Sequence, residues 1–358
     1  MRGRRALACA SLLVLVACAP APSRKDAQPA SPPVWPKPPD EARFRYEYTI
    51  RHVGDIEPRS RETSIRESIL GTSTADIPAF EKPAAIASRN GRIYVTDSAR
   101  RHVVAFDVPR RRVFRFGLRP PGTLIKPAGV AIDGEMNVYV ADTGRRQVVV
   151  YDNLGLFRQT IGDGKLLERP TGVAVNAEGT RVYVIDRSEN DSEAHRVVVF
   201  DGNGNRLREI GSRGSGPGQF NIPVQGAVAR DGTLFVLDAG NFRVQSFDPE
   251  GRFLGSFGRT GIGLGEFSRP RGVAIDGDGN VYVSDANFGN VQVFSPRGEL
   301  LISIGQASTR DGPGLYGLVG GIAVDETGRL YVADQLFSKV EIVRRTGAWE
   351  RPPARLPE

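Results

Sequence analysis

Short apolar runs, each closed by an aspartate, recur along most of the chain. They read RIYVTD, NVYVAD, RVYVID, TLFVLD, NVYVSD and RLYVAD. The closing residues are Asp97, Asp142, Asp186, Asp238, Asp285 and Asp334. Each run follows another apolar segment, such as GVAID, and precedes a third, such as VVVYD, across a polar loop. Short apolar runs separated by glycine-rich turns predict β-strands.

Each copy except the sixth ends in a further segment of the FLGSFG type, so one complete copy supplies four short strands in a row. Four strands repeated with a period of about 45 residues are typical of the blades of a β-propeller. The strands are almost continuously apolar, which is expected where both faces of each sheet pack on neighbouring sheets. The pattern therefore predicts an all-β ring of six blades.

The recurring elements carry a more specific resemblance. A lysine or arginine, a proline, a Gly-Val-Ala-Val-Asp element and a Tyr-Val-Ala-Asp element follow one another from residue 82 to residue 344. This order resembles the NHL repeat. The resemblance implies an NHL-like six-bladed β-propeller, which we place at residues 43–346.

The sixth copy lacks its last strand. After KVEIVRR at residues 339–345 the chain continues into a proline-rich tail, residues 347–358, which is unsuited to a sheet ladder. The segment FRYEYTIRHV, residues 44–53, is a strand without a repeat of its own. We predict that it completes the last blade and removes two open sheet edges. Apolar positions in residues 59–71 also predict a short helix lying on the disc.

The first residues have the composition of an export signal. Three arginines in the first five residues precede an uncharged stretch, residues 6–17, which is too short to span a bilayer. The Leu-Val-Ala-Cys sequence that ends at Cys18 resembles the lipobox of bacterial lipoproteins, which implies removal of residues 1–17 and acylation of Cys18. The alternative is an inert cysteine in an ordinary signal. Ala19 implies sorting to the outer membrane, so we expect an exported protein that is lipid-anchored in the cell envelope.

Residues 18–42 are rich in Pro and Ala and poor in aliphatic side chains. Such a segment buries too little surface to fold, so we predict a disordered tether. Trp35 within it is interpreted as a linker aromatic, with a place at the lipid interface as the alternative. The other cysteine, Cys9, would leave with the signal, which excludes a disulfide in the mature chain.

Charge and composition add limits on the partners. The 358 residues include 42 Gly and 25 Pro, and the formal net charge of +7 is spread along the chain. A charge this small and this dispersed is weak evidence for nucleic acid, and we expect no nucleic-acid partner.

The six repeated aspartates are interpreted as structural residues. Each is expected to accept backbone N–H groups of the turn that follows it, in charge-assisted hydrogen bonds. A basic side chain lies five residues further on in two copies, Arg243 after Asp238 and Lys339 after Asp334, and we predict that it pairs with the aspartate. An insertion in the third copy moves this position to Arg196.

No catalytic residue, metal site or cofactor is predicted. His102 occupies the position that other copies fill with Arg, Lys, Gln or Asn, so we interpret it as a hydrogen bonder within its blade. His52 and His195 lie elsewhere, and neither the zinc histidines of the amidating lyases nor the acidic and amide ligands of the gluconolactonase-like propellers have a matching set. The sequences DGNGN, residues 201–205, and DGDGN, residues 276–280, are interpreted as hairpin turns rather than calcium loops.

Residues that differ between copies point to a binding surface. In propellers the loops between the second and third strands and the segments entering each first strand share one face of the disc, and function usually lies on such loops. The cationic candidates on this face are Arg100, Arg101, Arg145, Arg146 and Arg187, with Lys82, Lys126, Arg169 and Arg269 directly before the strand-opening proline. The amide and aromatic candidates are Asn241, Phe242, Phe288 and Phe337.

These candidates suit an acidic peptide, a protein partner or an anionic glycan, if their side chains project outward. For the residues before proline, simple solvated charge is an equal alternative. We therefore expect a non-enzymatic binding or scaffold module for a protein, peptide or anionic polymer of the envelope, attached to the membrane through Cys18. The alternative is a channel-centred, metal-dependent lyase or lactonase-like enzyme.

Overall fold

The computed structural model describes residues 31–57, 77–189 and 192–347. Two strands precede the repeats, β1 (Val34–Trp35) and β2 (Phe44–Ile50), and a 3-10 turn follows them at Val53–Asp55. Blade 1 consists of β3 (Pro83–Arg89), β4 (Arg92–Asp97), β5 (His102–Asp107) and β6 (Arg112–Phe116). Blade 2 consists of β7 (Pro127–Ile132), β8 (Val138–Asp142), β9 (Gln147–Tyr151) and β10 (Phe157–Ile161).

The remaining blades repeat this order. Blade 3 consists of β11 (Pro170–Val175), β12 (Arg181–Asp186), β13 (Arg196–Asp201) and β14 (Arg206–Ile210). Blade 4 consists of β15 (Pro223–Val228), β16 (Leu234–Asp238), β17 (Arg243–Phe247) and β18 (Phe253–Phe257), with a 3-10 turn at Ala239–Asn241. Blade 5 consists of β19 (Pro270–Ile275), β20 (Val281–Asp285), β21 (Asn290–Phe294) and β22 (Leu300–Ile304).

Blade 6 follows a short parallel pair of strands, β23 (Gln306–Ala307) and β24 (Leu315–Tyr316), in the segment that leads into it. The repeat supplies three strands of this blade, β25 (Val319–Val324), β26 (Arg329–Asp334) and β27 (Lys339–Arg345). Every neighbouring pair of strands within the blades is antiparallel.

The first strands of the blades form a closed inner ring, because each contacts the next and β25 contacts β3. The blades are packed face to face on each other. One apolar cluster, for example, joins Tyr94 and Val103 of blade 1 to Val138 and Val149 of blade 2, and all four are fully buried. The structure is thus a six-bladed β-propeller whose sheets are buried on both faces, which confirms the predicted architecture.

The N-terminal strand closes the ring as predicted. The sheet of blade 6 has the order β1-β2-β27-β26-β25, and β2 is antiparallel to β27 with Tyr46 opposite Val343. Phe44 and Ile50 of β2 are fully buried, and Arg329 Nε donates to Glu47 Oε2 over 2.7 Å. The last blade is therefore built from both ends of the propeller sequence.

The boundary between tether and propeller differs from the prediction. Val34 and Trp35, which the sequence analysis placed in the tether, form a strand on the outer edge of blade 6. Trp35 is only 8% exposed and belongs to the apolar cluster around Phe44. Its ring lies over Gly314, where a Cβ atom would stand 2.5 Å from the ring. Trp35 is therefore a core residue, not a linker aromatic.

Several predicted features lie outside the described residues. These are the signal, the acylated Cys18, the helix over residues 59–71 and the tail beyond residue 347. Within the described ranges, no helix is long and apolar enough to cross a bilayer.

A buried ionic network fixes blade 6 to the segment that precedes it. The Lys339 ammonium is fully buried and donates to Asp311 Oδ1 over 3.0 Å and to Glu341 Oε2 over 3.2 Å. The Glu341 carboxylate also accepts the Tyr316 hydroxyl over 2.7 Å and the Gly314 N–H over 2.8 Å. Each buried charge thus has several partners, as a charge in a low-dielectric interior requires.

Candidate functional site

The six repeated aspartates build one end of the disc, which we call the loop face. It carries the loops between second and third strands and the segments that enter the first strands. All six aspartate side chains are fully buried. In blade 2, Asp142 accepts the N–H groups of Gly144 and Arg145 in the loop that follows it, and those of Ile125 and Lys126 in the segment that enters β7. Asp142 therefore joins two loops of its blade.

The same arrangement recurs around Asp97, Asp285 and Asp334. Asp186 and Asp238 differ, because among the described residues they accept backbone N–H groups only from the segment that enters the first strand. The prediction that every repeated aspartate binds the turn that follows it is therefore wrong for these two copies, which use side chains instead. Arg243 Nε donates to Asp238 over 3.0 Å, and an Arg196 guanidinium nitrogen lies 3.7 Å from an Asp186 carboxylate oxygen. Burial nevertheless raises the pKa of Asp186 and Asp238, because removal from water opposes the charged form more than these contacts favour it.

Lys339 does not make the predicted pair with Asp334. Its ammonium donates instead to Asp311, to Glu341 and to two backbone carbonyl oxygens. The physical reason is Glu341, two residues further along the same strand, where blades 4 and 5 have the neutral Gln245 and Gln292. A buried carboxylate at that position attracts the ammonium away from Asp334.

All candidate binding residues lie on the loop face, but they differ in exposure. Arg101, Arg146, Lys82, Lys126 and Arg269 are exposed, whereas Arg100, Arg145, Arg169 and Arg187 are half-buried. Arg100 contacts its own blade through Glu81, at 3.5 Å, and the Pro78 carbonyl oxygen. The cationic side of the face is thus largely open to a ligand.

The aromatic side is less available. The Asn241 amide donates to Asp238 and to the Gly214 carbonyl oxygen, so it holds its own loop. Phe242 packs against the apolar cluster between blades 4 and 5, and the Phe337 ring lies 5.6 Å from the buried Lys339 ammonium. Of the four amide and aromatic candidates, only the Phe288 side chain makes none of these three contacts with the described residues. It is half-exposed.

A group of arginines stands at the mouth of the central channel. We call Arg169, Arg187, Arg269 and Arg271 the arginine cluster. Partial burial and the neighbouring charges of Arg269 and Arg187 lower the pKa of Arg271. Partial burial and Arg169 do the same for Arg187. Arg169 has an acidic neighbour, Glu189, at 3.7 Å. The cluster is therefore a concentration of like charges drawn from blades 3 and 5.

Arg271 was not among the binding residues predicted from the sequence. It lies inside the strand β19, directly after the strand-opening proline, whereas the candidates were taken from loops and from positions before proline. The corresponding residues in the other blades are Ala84, Ala128, Thr171, Val224 and Gly320. A comparison of the copies at this position shows one charge among small or apolar residues. Among the described residues, no hydrogen bond or ion pair holds the Arg271 side chain.

The opposite end of the channel opens into a cavity of about 480 Å³. The ends of the first strands line it with aliphatic side chains, and Arg89 and Arg230 stand at its rim. Neither cation was a sequence candidate. Arg230 is exposed, and it offers a charge at the end of the channel remote from the arginine cluster.

The histidines do not converge. His102 and His195 are both buried, in blades 1 and 3, and His52 follows β2. Burial lowers the pKa of His102 and Arg115 adds to this effect, while its Nε2 atom has no hydrogen-bond partner. Across the described ranges, no three His, Cys, Asp or Glu side chains are grouped so that they could hold a metal ion.

The two calcium-like sequences form turns held by their own side chains. Asp276 accepts the N–H groups of Asp278 and Asn280, and Asp201 accepts those of Asn203 and Asn205. These are the hydrogen bonds of tight hairpin turns.

Comparison with known proteins agrees with this architecture. Residues 267–294, in blade 5, match the sequence model of the NHL repeat. The protein brain tumor of Drosophila melanogaster is 28% identical over 138 residues, which are 37% of this chain and 12% of that protein. The chain thus spans about an eighth of the length of the curated relative that it matches. The chain is a six-bladed β-propeller in which one repeat, in blade 5, matches the NHL repeat.

Solved structures share the fold at low identity. A protein of unknown function from Bacteroides thetaiotaomicron is 21% identical, with a TM-score of 0.58 over 75% of this chain and 71% of that one. A gluconolactonase from Xanthomonas campestris is 17% identical, with a TM-score of 0.55 over 75% of this chain and 88% of that one. At these identities the likeness concerns the fold, which both binding proteins and enzymes use.

Proposed function

We propose that the protein is a non-enzymatic binding module that holds an acidic partner, a protein segment or an anionic polymer, on the loop face of its propeller. One observation carries the proposal. Arg271 is an exposed charge at the start of an inner strand, where every other blade has a small or apolar residue, and partial burial together with the nearby charges of Arg269 and Arg187 lowers its pKa. Among the described residues no hydrogen bond or ion pair holds this side chain, and the carboxylate that favours its charge is Asp285 of its own blade.

The chemistry of the cluster favours carboxylate, phosphate or sulfate groups. Guanidinium groups bind such oxyanions through paired N–H donors, and these charge-assisted hydrogen bonds are stronger than neutral ones. Like charges that share a partly dehydrated site repel one another, so an anionic ligand relieves an existing repulsion when it binds. The shared aspartates hold the loops that present these arginines, and the ligand contacts residues that the blades do not share.

The first prediction concerns Arg271. Arg271→Ala should weaken binding of a short fluorescent oligoglutamate peptide by about 1.5–3 kcal/mol, roughly ten- to a hundredfold in Kd, because one charge-assisted contact is lost. Arg271→Lys should retain part of the affinity. Fluorescence anisotropy with the purified protein measures both.

Arg230→Ala is the matched control, since it removes the same charge from the other end of the channel. Its affinity for the peptide should equal that of the unaltered protein. If Arg230→Ala weakens binding and Arg271→Ala does not, the site lies in the opposite cavity and the proposal for the loop face is wrong.

We also propose that the module is anchored to the bacterial envelope, in the outer membrane, through an acylated Cys18. The support is the arginine-rich start, the uncharged stretch and the Leu-Val-Ala-Cys sequence. Two or more acyl chains hold a protein on a membrane far more firmly than one chain. Cys18→Ser should move the protein from the membrane fraction to the aqueous fraction, and an unchanged distribution would reject the anchor.

The competing function is a channel-centred, metal-dependent lyase or lactonase-like enzyme. It shares the fold, as the solved gluconolactonase illustrates, but it requires a converging set of metal ligands. Elemental analysis of the purified protein separates the two. Zinc or calcium bound in a one-to-one ratio would favour the enzyme and overturn the proposed binding module.

A further inference from the structure

Two of the segments that connect blades on the loop face share one design. Residues 211–220 read GSRGSGPGQF and lead into blade 4, while residues 258–267 read GRTGIGLGEF and lead into blade 5. Glycine occupies the same four places in both, and both end in a fully buried phenylalanine, Phe220 or Phe267. We call them the twin loops.

The twin loops share a set of hydrogen bonds, and the second loop adds an ion pair in which Arg259 Nε donates to Glu266 Oε1 over 2.9 Å. Gln219 Oε1 accepts the Gly216 N–H over 2.9 Å, and Glu266 Oε2 accepts the Gly263 N–H over 2.8 Å. Each loop forms a parallel bridge from its third residue to its phenylalanine.

A glutamine of the adjoining blade completes the scaffold. Gln245 accepts the Gly218 N–H over 3.0 Å, and Gln292 accepts the Gly265 N–H over 2.7 Å. The backbone conformation is therefore set by glycines, by these acceptors and by the buried ring, all of which the two loops have in common.

The loops differ in what they present to solvent. One has Ser215 and Pro217 at its two outward positions, and the other has Ile262 and Leu264. Ile262 is 89% exposed and Leu264 is 70% exposed. We call this pair the apolar finger. Because the first loop keeps the same scaffold with a serine and a proline, the fold does not require aliphatic side chains at these positions.

The apolar finger and two members of the arginine cluster lie on one continuous segment of the chain. The loop that carries the finger continues through Phe267 into Arg269 and Arg271. The finger and both arginines therefore belong to the loop face. Exposed aliphatic groups gain free energy when a partner removes them from water. A partner that binds here can therefore use an ionic contact and an apolar contact a few residues apart.

From this juxtaposition we infer that the partner is an acidic protein segment with apolar side chains, which buries Ile262 and Leu264 while its carboxylates bind the arginine cluster. The inference rests on the proposed function and narrows its ligand. An anionic glycan or polyphosphate offers charge but no aliphatic side chain to cover the finger. A flat lipid surface could cover the finger, but it fits poorly to Arg271, which lies at the start of an inner strand in the channel mouth.

The test uses two fluorescent peptides of equal length and charge, one of interspersed glutamate and leucine and the other of interspersed glutamate and serine. The full-length protein should bind the leucine peptide about tenfold more tightly, from partial burial of two aliphatic side chains. The double variant Ile262→Ser/Leu264→Pro carries the residues of the other twin loop. It should unfold at the same temperature as the unaltered protein and bind both peptides with the weaker affinity.

A reverse graft controls for general hydrophobicity. Ser215→Ile/Pro217→Leu, added to the double variant, places the same aliphatic pair on the other loop. It should not restore tight binding of the leucine peptide, and full restoration would overturn the inference.

The other outcomes separate the inference from the proposed function. If both peptides bind equally and the double variant changes nothing, the inference is wrong while the binding of acidic ligands stands. If neither peptide binds, both are wrong. A third outcome is that the two peptides bind equally, while phosphatidylglycerol vesicles bind the unaltered protein and do not bind the double variant. The finger then contacts lipid, and the inference is overturned.

Discussion

Lys339→Met should lower the free energy of unfolding by about 3–5 kcal/mol, because it leaves the carboxylate of Glu341 buried without its cation. Lys339 and Glu341 are both fully buried, so water cannot replace the lost partner at low cost. The ammonium also binds the segment that precedes blade 6, through Asp311 and two carbonyl oxygens. Chemical denaturation measures the loss.

The loss should depend on pH in a defined direction. Burial already raises the pKa of Glu341, and Lys339 is the main charge that opposes this rise. Without Lys339 the folded carboxyl binds its proton still more tightly than the unfolded one. The variant should therefore be least impaired at acidic pH, below the pKa of an unfolded glutamate, and should lose stability as the pH rises through the raised folded value.

The double variant Lys339→Met/Glu341→Gln is the control. It removes both charges but keeps an acceptor for the Tyr316 hydroxyl and the Gly314 N–H. We expect it to recover much of the stability lost in the single variant, and to lose the pH dependence. A double variant as unstable as the sum of the two single ones would show that the two charges do not stabilise each other.

Asp142→Ala should cost about 3 kcal/mol or more, since four backbone N–H groups lose a charged acceptor and each such hydrogen bond contributes about 1.5–3 kcal/mol. Partial hydration of the opened loops keeps the total below the full sum. The four donors come from two loops of blade 2, so both loops should loosen together. Thermal and chemical unfolding measure the effect.

Asp152→Ala in the same blade is the matched control. Asp152 also accepts two backbone N–H groups, those of Leu154 and Leu156, but it does so in an exposed hairpin turn. Water can replace it there, and we expect a loss of about 1 kcal/mol or less. Equal losses in the two variants would contradict a special role for the repeated aspartates.

The repeated contacts are the part of this structure that the sequence reveals. A contact that recurs in six blades requires similar residues in six places, so the strands and the six aspartates appear in the sequence as a repeat. The missing strand of blade 6 appears as a gap in that repeat. The closing strand, residues 44–50, was found because the gap and the unmatched strand fit each other.

Contacts made once leave no such trace. Trp35 looked like a linker residue because its neighbours are prolines, and its burial depends on Gly314, far away in the sequence. Lys339 was paired with the wrong carboxylate because sequence spacing does not show that Glu341 is buried beside it. Arg271 was missed because it lies within a strand, although comparison of the copies at that one position shows it.

The apolar finger was likewise hidden from hydrophobic patterning. Ile262 and Leu264 alternate with glycines in a segment that reads as a turn, and neither belongs to a periodic apolar run. The two residues stand out only when their exposure is compared with that of the similar loop that has Ser215 and Pro217 at the same places.

The central claim is a division of roles, in which residues shared by the blades hold the ring and residues unique to one blade select the ligand. The most direct test measures the free energy of unfolding and the affinity for the oligoglutamate peptide side by side in Asp142→Ala and Arg271→Ala. We predict that Asp142→Ala loses stability and, below its unfolding transition, keeps its affinity, while Arg271→Ala keeps its stability and loses its affinity. An Arg271→Ala protein that is as destabilised as Asp142→Ala and still binds the peptide normally would contradict the claim.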